Sequence, residues 1–358
     1  EEKEVRGLRY LKTEAEAKAL PSPIRVNSPE EPVAAVHQSP GLALGQKGEV
    51  YLSWPALHPQ ANGKPFTSVL KLSHSEDGGR TFAPSVVVND DSAVTNHTFD
   101  HVAVGHDGTV HVAWIDAREG KKEPATFAAR SADMGRTVTK NVKVDDNTCV
   151  CCRTALVTAP DGTVYLAWRK IFEGNIRETV VARSTDGGQT YSAPVIVGND
   201  RWVFPGCPHR PASLGVDQLG RLYVVWYTEG ADETPAIYLA VSDDGGLTFS
   251  PKRALNASKG TFPDHPQMAV DAEGHMVVVW EEQSPVRREV VMSYSLDRGQ
   301  AFSKPRKLND RKGQNPAVAM NDQGLAAVAW VEQVMPGRKT VFQTVRLPKD
   351  PKAPSAQP

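Results

Sequence analysis

Apolar positions along this chain come in short runs rather than long ones. Six times an apolar run, a glycine turn and a second apolar run lead to a tryptophan six residues beyond the glycine. The pairs are Gly48 and Trp54, Gly108 and Trp114, Gly162 and Trp168, Gly220 and Trp226, Gly274 and Trp280, and Gly324 and Trp330. Stretches such as Thr109-Val-His-Val-Ala-Trp114 and Thr163-Val-Tyr-Leu-Ala-Trp168 carry the β-branched and aromatic residues that fill half-buried strands. Each glycine can supply the positive φ of a tight turn. The pattern predicts six strand–turn–strand pairs, with the tryptophans packing between units rather than forming a ligand platform.

A second repeat runs out of phase with the first. Ser75-Glu-Asp77-Gly-Gly79-Arg-Thr81-Phe82 recurs as Ser131-Ala-Asp133-Met-Gly135-Arg-Thr137-Val138, Ser184-Thr-Asp186-Gly-Gly188-Gln-Thr190-Tyr191, Ser242-Asp-Asp244-Gly-Gly246-Leu-Thr248-Phe249 and Ser295-Leu-Asp297-Arg-Gly299-Gln-Ala301-Phe302. A fixed period of about 55 residues means an array of one supersecondary unit. Asp and Ser/Thr side chains serve backbone groups in such turns, so Asp77, Asp133, Asp186, Asp244 and Asp297 are read as structural. With a third strand before the phrase and a fourth after it, each unit is a four-stranded propeller blade. The phrase resembles the Asp-box (BNR) repeat of sialidase-like β-propellers. That resemblance implies an all-β, six-bladed β-propeller of antiparallel blades, with the boxes on hairpins between third and fourth strands, away from the functional mouth.

The sixth unit has no box. Lys339-Thr-Val-Phe-Gln-Thr-Val-Arg346 supplies its third strand, and Ile24-Arg25-Val26 is expected to add the fourth, closing the ring from the N-terminus and removing an exposed edge. The boundaries follow: residues 1–20 an extension, helical or disordered, 21–347 one propeller domain, and 348–358 a disordered tail.

Composition narrows the partners. The 358 residues carry a formal charge of −1, with basic and acidic residues mixed along the chain, which leaves no electrostatic footprint for nucleic acid or an anionic membrane. No apolar run approaches the roughly 18 residues of a membrane span. The chain starts at Glu1 with no apolar signal segment, so a processed, extracytoplasmic protein, periplasmic or secreted, is expected. Oligomeric state is not legible.

In a propeller the loop leading into each innermost strand faces the central channel. The repeat places these loops at His37-Gln38-Ser39-Pro40, His97-Thr98-Phe99-Asp100-His101, Cys151-Cys152-Arg153-Thr154, Cys207-Pro208-His209-Arg210-Pro211, Pro263-Asp264-His265-Pro266 and Gln314-Asn315-Pro316. All four cysteines, Cys149, Cys151, Cys152 and Cys207, fall in or beside two of them, with five of the ten histidines in the set. Three chemistries fit. Disulfides would pair Cys207 with a blade 3 cysteine, or Cys151 with Cys152. Soft ligands, Cys149, Cys151, Cys152, Cys207 and His209, suit copper(I) or zinc. A thiol beside arginine or protonated histidine would instead be reactive.

The run Thr148-Cys149-Val-Cys151-Cys152-Arg153, with Arg169, Arg177-Glu178 and Gly206-Cys207-Pro208-His209, is similar to a bacterial subgroup of sialidase-like Asp-box proteins with Cys-Cys and Gly-Cys-Pro elements. That resemblance places Arg153, Arg169, Arg177, Cys207 and His209 in one site. Ligand contacts are also expected from His97, His101, His209, His265 and Asp264.

Sialidases clamp a substrate carboxylate with three arginines, and add a Tyr nucleophile assisted by Glu and an Asp acid/base. Here Pro23-Ile24-Arg25-Val26 lacks their Arg-Ile-Pro motif. A hydrolase reading would draw on Arg153, Arg169, Arg210, Asp100, Asp116, Glu281 and Tyr227. Arg118, Glu282 and Glu332 occupy similar positions. The favoured expectation is a propeller binding a small molecule, glycan or soft metal at a Cys/His/Arg-lined mouth. The alternatives are an exo-acting glycoside hydrolase of sialidase type and a structural or protein-interaction propeller with its mouth plugged by disulfides.

Overall fold

A computed structural model describes residues 7–14, 21–34, 39–64, 66–120, 124–256 and 261–348. The protein is an all-β, six-bladed propeller of antiparallel sheets. Blade 1 comprises Gly41–Leu44, Val50–Leu57, Ser68–Ser75 and Val86–Val87, and blade 2 His97–Val104, Val110–Asp116, Ala125–Ser131 and Val142–Asp145. Blade 3 comprises Ala155–Thr158, Val164–Phe172, Ile176–Ser184 and Val195–Ile196. Blade 4 is built from Ser213–Val216, Leu222–Thr228, Ala236–Ser242 and Arg253–Ala254, and blade 5 from Phe262–Val270, Met276–Gln283, Arg288–Ser295 and Arg306–Lys307. Blade 6 has three strands, Gly313–Met320, Leu325–Val334 and Gly337–Arg346. Blades 1–3 with Phe204–His209 form one compact unit, and blades 4–6 with Val197–Val203 form another. No helix among the described residues is long and apolar enough to cross a membrane.

The two sequence repeats have separate jobs. The six glycines turn the first strand of each blade into the second at φ between 69° and 90°. A Cβ at Gly48, Gly108, Gly162 or Gly220 would meet nothing within 4 Å, so backbone conformation, not crowding, demands glycine there. The second strands of blades 1–5 are buried on both faces over most of their length, as Leu222–Thr228 is throughout, which is why they read as near-continuous apolar runs. All six tryptophans lie between 0% and 3% exposed. Within each unit they pack across successive blades: Trp114 with Tyr51, Leu70 and Phe127, and Trp280 with Tyr223, Ile237 and Leu239. Four indoles donate to a carboxylate: Trp114 to Asp116 (2.7 Å), Trp226 to Asp200 (2.7 Å), Trp280 to Glu282 (2.8 Å) and Trp330 to Glu332 (3.2 Å).

The five repeated phrases form the hairpins between third and fourth strands of blades 1–5. In the first, Ser75 Oγ donates to Asp77 Oδ1 (2.7 Å) and accepts from Gly79 N (2.8 Å), while Thr81 donates through N and Oγ1 to the same carboxylate. Asp133, Asp186 and Asp244 repeat the set. Asp297 keeps the serine and backbone bonds, and Ala301 has no hydroxyl to offer. These donors hold all five carboxyls below the usual carboxylate range, led by the threonine side chain in the first four copies. At Asp297 burial opposes the backbone and serine bonds, which prevail.

The N-terminal segment departs from expectation. Ile24–Arg25 pairs with Arg9–Tyr10 in a two-stranded sheet of its own, and among the described residues nothing joins the outer edge of Gly337–Arg346. Apolar burial explains the difference: Leu8, Tyr10 and Val26 pack on Leu52, Trp54 and Phe82 of blade 1. Asn27 locks the arrangement, accepting from Leu8 N at 2.6 Å and donating to Glu31 O at 2.7 Å. Of the expected N-terminal extension, 7–14 is thus partly strand. Residues 1–6 and 15–20, most of the 348–358 tail, and His37 and Gln38 of the blade 1 loop lie outside the described residues.

Candidate functional site

Three of the four cysteines converge. Between the last strand of blade 2 and the first of blade 3, the chain makes a tight turn, with Cys149 N donating to Arg169 O (2.8 Å) and Cys152 N to Cys149 O (3.5 Å). Thr126 and Thr148 share a buried hydroxyl bond of 2.7 Å, and Thr154 N donates to Phe99 O at 3.2 Å. The turn therefore leans on both blades. It brings Cys149 Sγ to 3.7 Å from Cys151 Sγ and 3.5 Å from Cys152 Sγ. Exposure is 0% at Cys149 and Cys152 and 4% at Cys151, and Phe99 and Ile171 pack on the sulfurs.

Arg177, on the third strand of blade 3, joins this cluster. Its Nη1 donates to Cys149 Sγ at 3.0 Å and its Nε to Phe204 O at 2.9 Å. Hydrogen bonding with the Cys151 and Cys152 sulfurs, helped by Arg177, draws the Cys149 pKa far below that of a free thiol, against its burial. The same bonds push Cys151 up, and burial above all pushes Cys152 up to about 12. The cluster favours ionisation at Cys149, the sulfur that Arg177 faces, over ionisation at its two neighbours.

This geometry bears on each cysteine reading. A disulfide needs sulfurs about 2.05 Å apart, and all four cysteines are free. Cys207 is exposed, while Cys149, Cys151 and Cys152 are buried thiols. A tetrahedral ion with metal–sulfur bonds of about 2.3 Å sets its ligand sulfurs about 3.8 Å apart. The observed 3.5 and 3.7 Å lie near that spacing, and the three sulfur atoms all lie within 4.8 Å of one another. Cys207 and His209, expected as further ligands, fall outside this group. His209 instead lies tilted beside Phe99, ring centroids 6.2 Å apart, with φ of 54°.

Other residues proposed for the first unit are engaged in the scaffold. His97 Nδ1 meets Ser68 O at 2.6 Å and Nε2 meets Asp91 at 2.9 Å, with Asp116 at 3.6 Å. Burial disfavours the charged ring, but the bond to Asp91, the Asp116 carboxylate and Ser68 O together raise its pKa. Asp91, His97 and Asp116 are spaced for a metal, yet the Arg118 guanidinium already lies 3.0 Å from Asp91 and 2.8 Å from Asp116. His101 accepts from Leu156 N (3.2 Å), and burial with Arg153 nearby pushes its pKa down to about 3, so the ring is neutral. Asp100 accepts from Ser53 Oγ (2.5 Å), while its backbone oxygen receives Arg153 Nε (2.5 Å). Arg169 is buried, with its backbone oxygen on Cys149.

The second unit gathers a different set. Arg210 lies 4.0 Å over the Tyr227 ring and bonds Asp264 through Nε (3.0 Å), with Glu229 at 3.4 Å. Tyr227 Oη donates to Glu229 Oε1 at 2.7 Å. His265 lies 3.2 Å from Asp264 and 3.4 Å from Glu281, and Gln283 bridges the same two carboxylates. Burial, then the Glu229 bond, raises the Tyr227 pKa well above the ordinary phenol value. The fully buried phenol is thus a held donor, the opposite state from an ionised nucleophile. Glu281 is also raised, chiefly by burial. Glu229 escaped sequence reading; it lies one residue past the end of the Leu222–Thr228 strand that carries Tyr227.

One backbone device was also illegible from residue types. The innermost strands of blades 2, 5 and 6 carry a bulge at matching places, and Phe99, His265 and Asn315 sit there at φ of 56°, 47° and 53°. Bulges re-aim side chains at functional rims.

The fold is a six-bladed β-propeller, and it is like that of the solved sialidases. Among solved structures, the chain is similar to the Hadza microbial sialidase Hz136, with a TM-score of 0.58 and 17% identity over 89% of this chain and 68% of that one. A protein of unknown function from Dyadobacter fermentans gives a TM-score of 0.61 at 14% identity, covering 89% and 96% of the two chains. A PL25 ulvan lyase gives 0.58 at 11% identity, covering 87% and 81%. At these identities the likeness is one of fold. No protein-family model matches the chain. No curated protein matches it either.

Proposed function

We propose that this chain is a soft-metal-binding propeller of the Asp-box kind, extracytoplasmic and without sialidase activity. Cys149, Cys151 and Cys152 hold a thiophilic d10 ion, copper(I) or zinc, and Arg177 neutralises part of the thiolate charge. The observation that carries this reading is the set of three buried sulfurs, 3.5 and 3.7 Å about Cys149, with a guanidinium donating to the central one. A bound ion takes the place of the thiol protons of its ligands, and it shields all three sulfurs from oxidation. The five repeated turns support kinship with the Asp-box proteins. The sialidase reaction has less support, since Tyr227 is kept protonated and Arg210 is committed to Asp264 and Glu229.

The test is metal analysis of untagged, full-length protein together with a free-thiol count. About one soft ion per chain is expected, with three thiols protected from alkylation until a chelator is added. Cys149→Ser, Cys151→Ser and Cys152→Ser should each abolish tight binding, while Cys207→Ser should not. Protein that stays metal-free after equilibration with buffered copper(I) and zinc would end this reading. A fluorogenic sialoside and glycoside panel should show no turnover.

A further inference from the structure

We propose that Arg177 makes this site selective for a monovalent cation, copper(I), over zinc(II). The proposal rests on the metal reading above and adds to it a specificity-determining residue. Two observations of different kinds lead to it.

The first is ligand number. Among the described residues no fourth His, Cys, Asp or Glu donor completes the group formed by Cys149, Cys151 and Cys152. Cys207, the remaining thiol, is exposed, and the three sulfurs are 0–4% exposed. Structural zinc is almost always held by four protein ligands, and catalytic zinc by three with water or substrate in the fourth position. Soft thiolates select copper(I) by ligand type, and three of them satisfy that ion without a fourth donor.

The second is charge. Arg177 is 6% exposed, and among the described residues no carboxylate pairs with it, its partners being Cys149 Sγ and Phe204 O. Its positive charge is therefore aimed at the sulfur cluster itself. A cation seated on Cys149 comes within a few ångströms of that guanidinium, and the repulsion scales with the ion's charge. A divalent ion is penalised twice as much as a monovalent one. The favourable effect of Arg177 on the thiolates is common to both ions and cancels in their ratio. Arg177 thus lowers zinc affinity more than copper(I) affinity.

The experiment compares the full-length wild-type chain with Arg177→Gln and Arg177→Lys. Reduced protein is titrated with copper(I) against a bathocuproine competitor and with zinc(II) against a chromophoric chelator, at one pH. Arg177→Gln is expected to shift the copper-to-zinc affinity ratio at least about tenfold toward zinc, a conservative reading of one unit charge at an effective dielectric of about 20. Arg177→Lys, which keeps the charge, should stay within about threefold of wild type. X-ray absorption of the copper(I)-loaded wild type supplies a readout independent of any variant's folding, and three sulfurs with no fourth ligand are expected. An unchanged ratio in Arg177→Gln, or a fourth ligand on copper, overturns the selectivity while leaving metal binding in place. Failure of the wild type to bind either ion overturns both.

Discussion

Cys149 and Arg177 should behave as one unit in the metal-free protein, and their asymmetry can be worked out in advance. Cys149→Ala leaves the Arg177 guanidinium buried with Phe204 O as its remaining partner. Breaking a buried pair by removing one member costs about 3–5 kcal/mol. The surviving Nε bond argues for the lower end, about 3 kcal/mol. Arg177→Met is gentler, because the abandoned sulfur can take up a proton and become neutral, as an isolated buried thiol does. The expected cost is about 1–2 kcal/mol, the loss of one charge-assisted bond. The double variant removes both charges and should cost no more than about 2 kcal/mol, giving a coupling of about 2 kcal/mol or more. Urea unfolding of reduced, chelator-treated protein, followed by tryptophan fluorescence, measures all three. Cys149 also carries a pH signature. Its folded thiol pKa is depressed, first by the neighbouring Cys151 and Cys152 sulfurs and then by Arg177, so its stabilisation is complete above the ordinary thiol pKa of about 8.5 and shrinks as pH falls. The Cys149→Ala penalty should therefore be smaller at pH 5 than at pH 8. Additivity within about 0.5 kcal/mol, or a penalty independent of pH, would refute the thiolate–guanidinium assignment.

Three further outcomes follow from the scaffold. Trp280→Phe takes the indole donor from Glu282 Oε1 and leaves that carboxylate with the Thr261 Oγ1 donor, whereas the Trp168 indole N–H has no acceptor among the described residues, so Trp280→Phe should cost about 1–2 kcal/mol more than Trp168→Phe by chemical denaturation. His97 has a raised folded pKa, so its contribution is full below the unfolded value of about 6.5 and fades as pH rises through the folded one; His97→Gln should flatten that decline, and an imidazole titration by NMR should place His97 above the ordinary histidine value. Gly162→Ala has room for its methyl but must adopt φ near 85°, and a cost of about 1–2 kcal/mol in thermal or urea unfolding is expected; a neutral result would mean that the turn relaxes.

The blades were legible because each repeats one physical solution. Glycine turns at positive φ, largely buried second strands and serine–aspartate hairpins leave residue-type signatures at a fixed period. That ruler also located the cysteine loops, and the convergence of Cys149, Cys151 and Cys152 is of local origin: four residues in one tight turn. What the ruler could not show was direction. His97, His101, Asp100 and Asp116 sit where the repeat places them, but their side chains turn into the scaffold, toward Asp91, Leu156 N, Ser53 and Trp114. Cys207 shares a loop class with the cluster and faces solvent. The N-terminal strand was assigned to the wrong partner for a similar reason. Alternation identifies a strand, but the choice of neighbour was decided by Leu8 and Val26 finding the Trp54 face.

The turn that carries the three thiols is fastened to more than its own blade. Thr148 is tied to Thr126 of blade 2, Thr154 to Phe99 of blade 2, and Cys149 to Arg169 of blade 3, so the segment acts as a rivet through the joint between two sheets. An ion set among its sulfurs would tighten that rivet and stiffen the seam mechanically. Amide hydrogen exchange at Thr148, Cys149 and Thr154 should then slow together on metal loading, while the hairpin around Asp186 keeps its own pace. A propeller built of separate repeats would in this way gain one reinforced seam whose tightness reports the supply of metal.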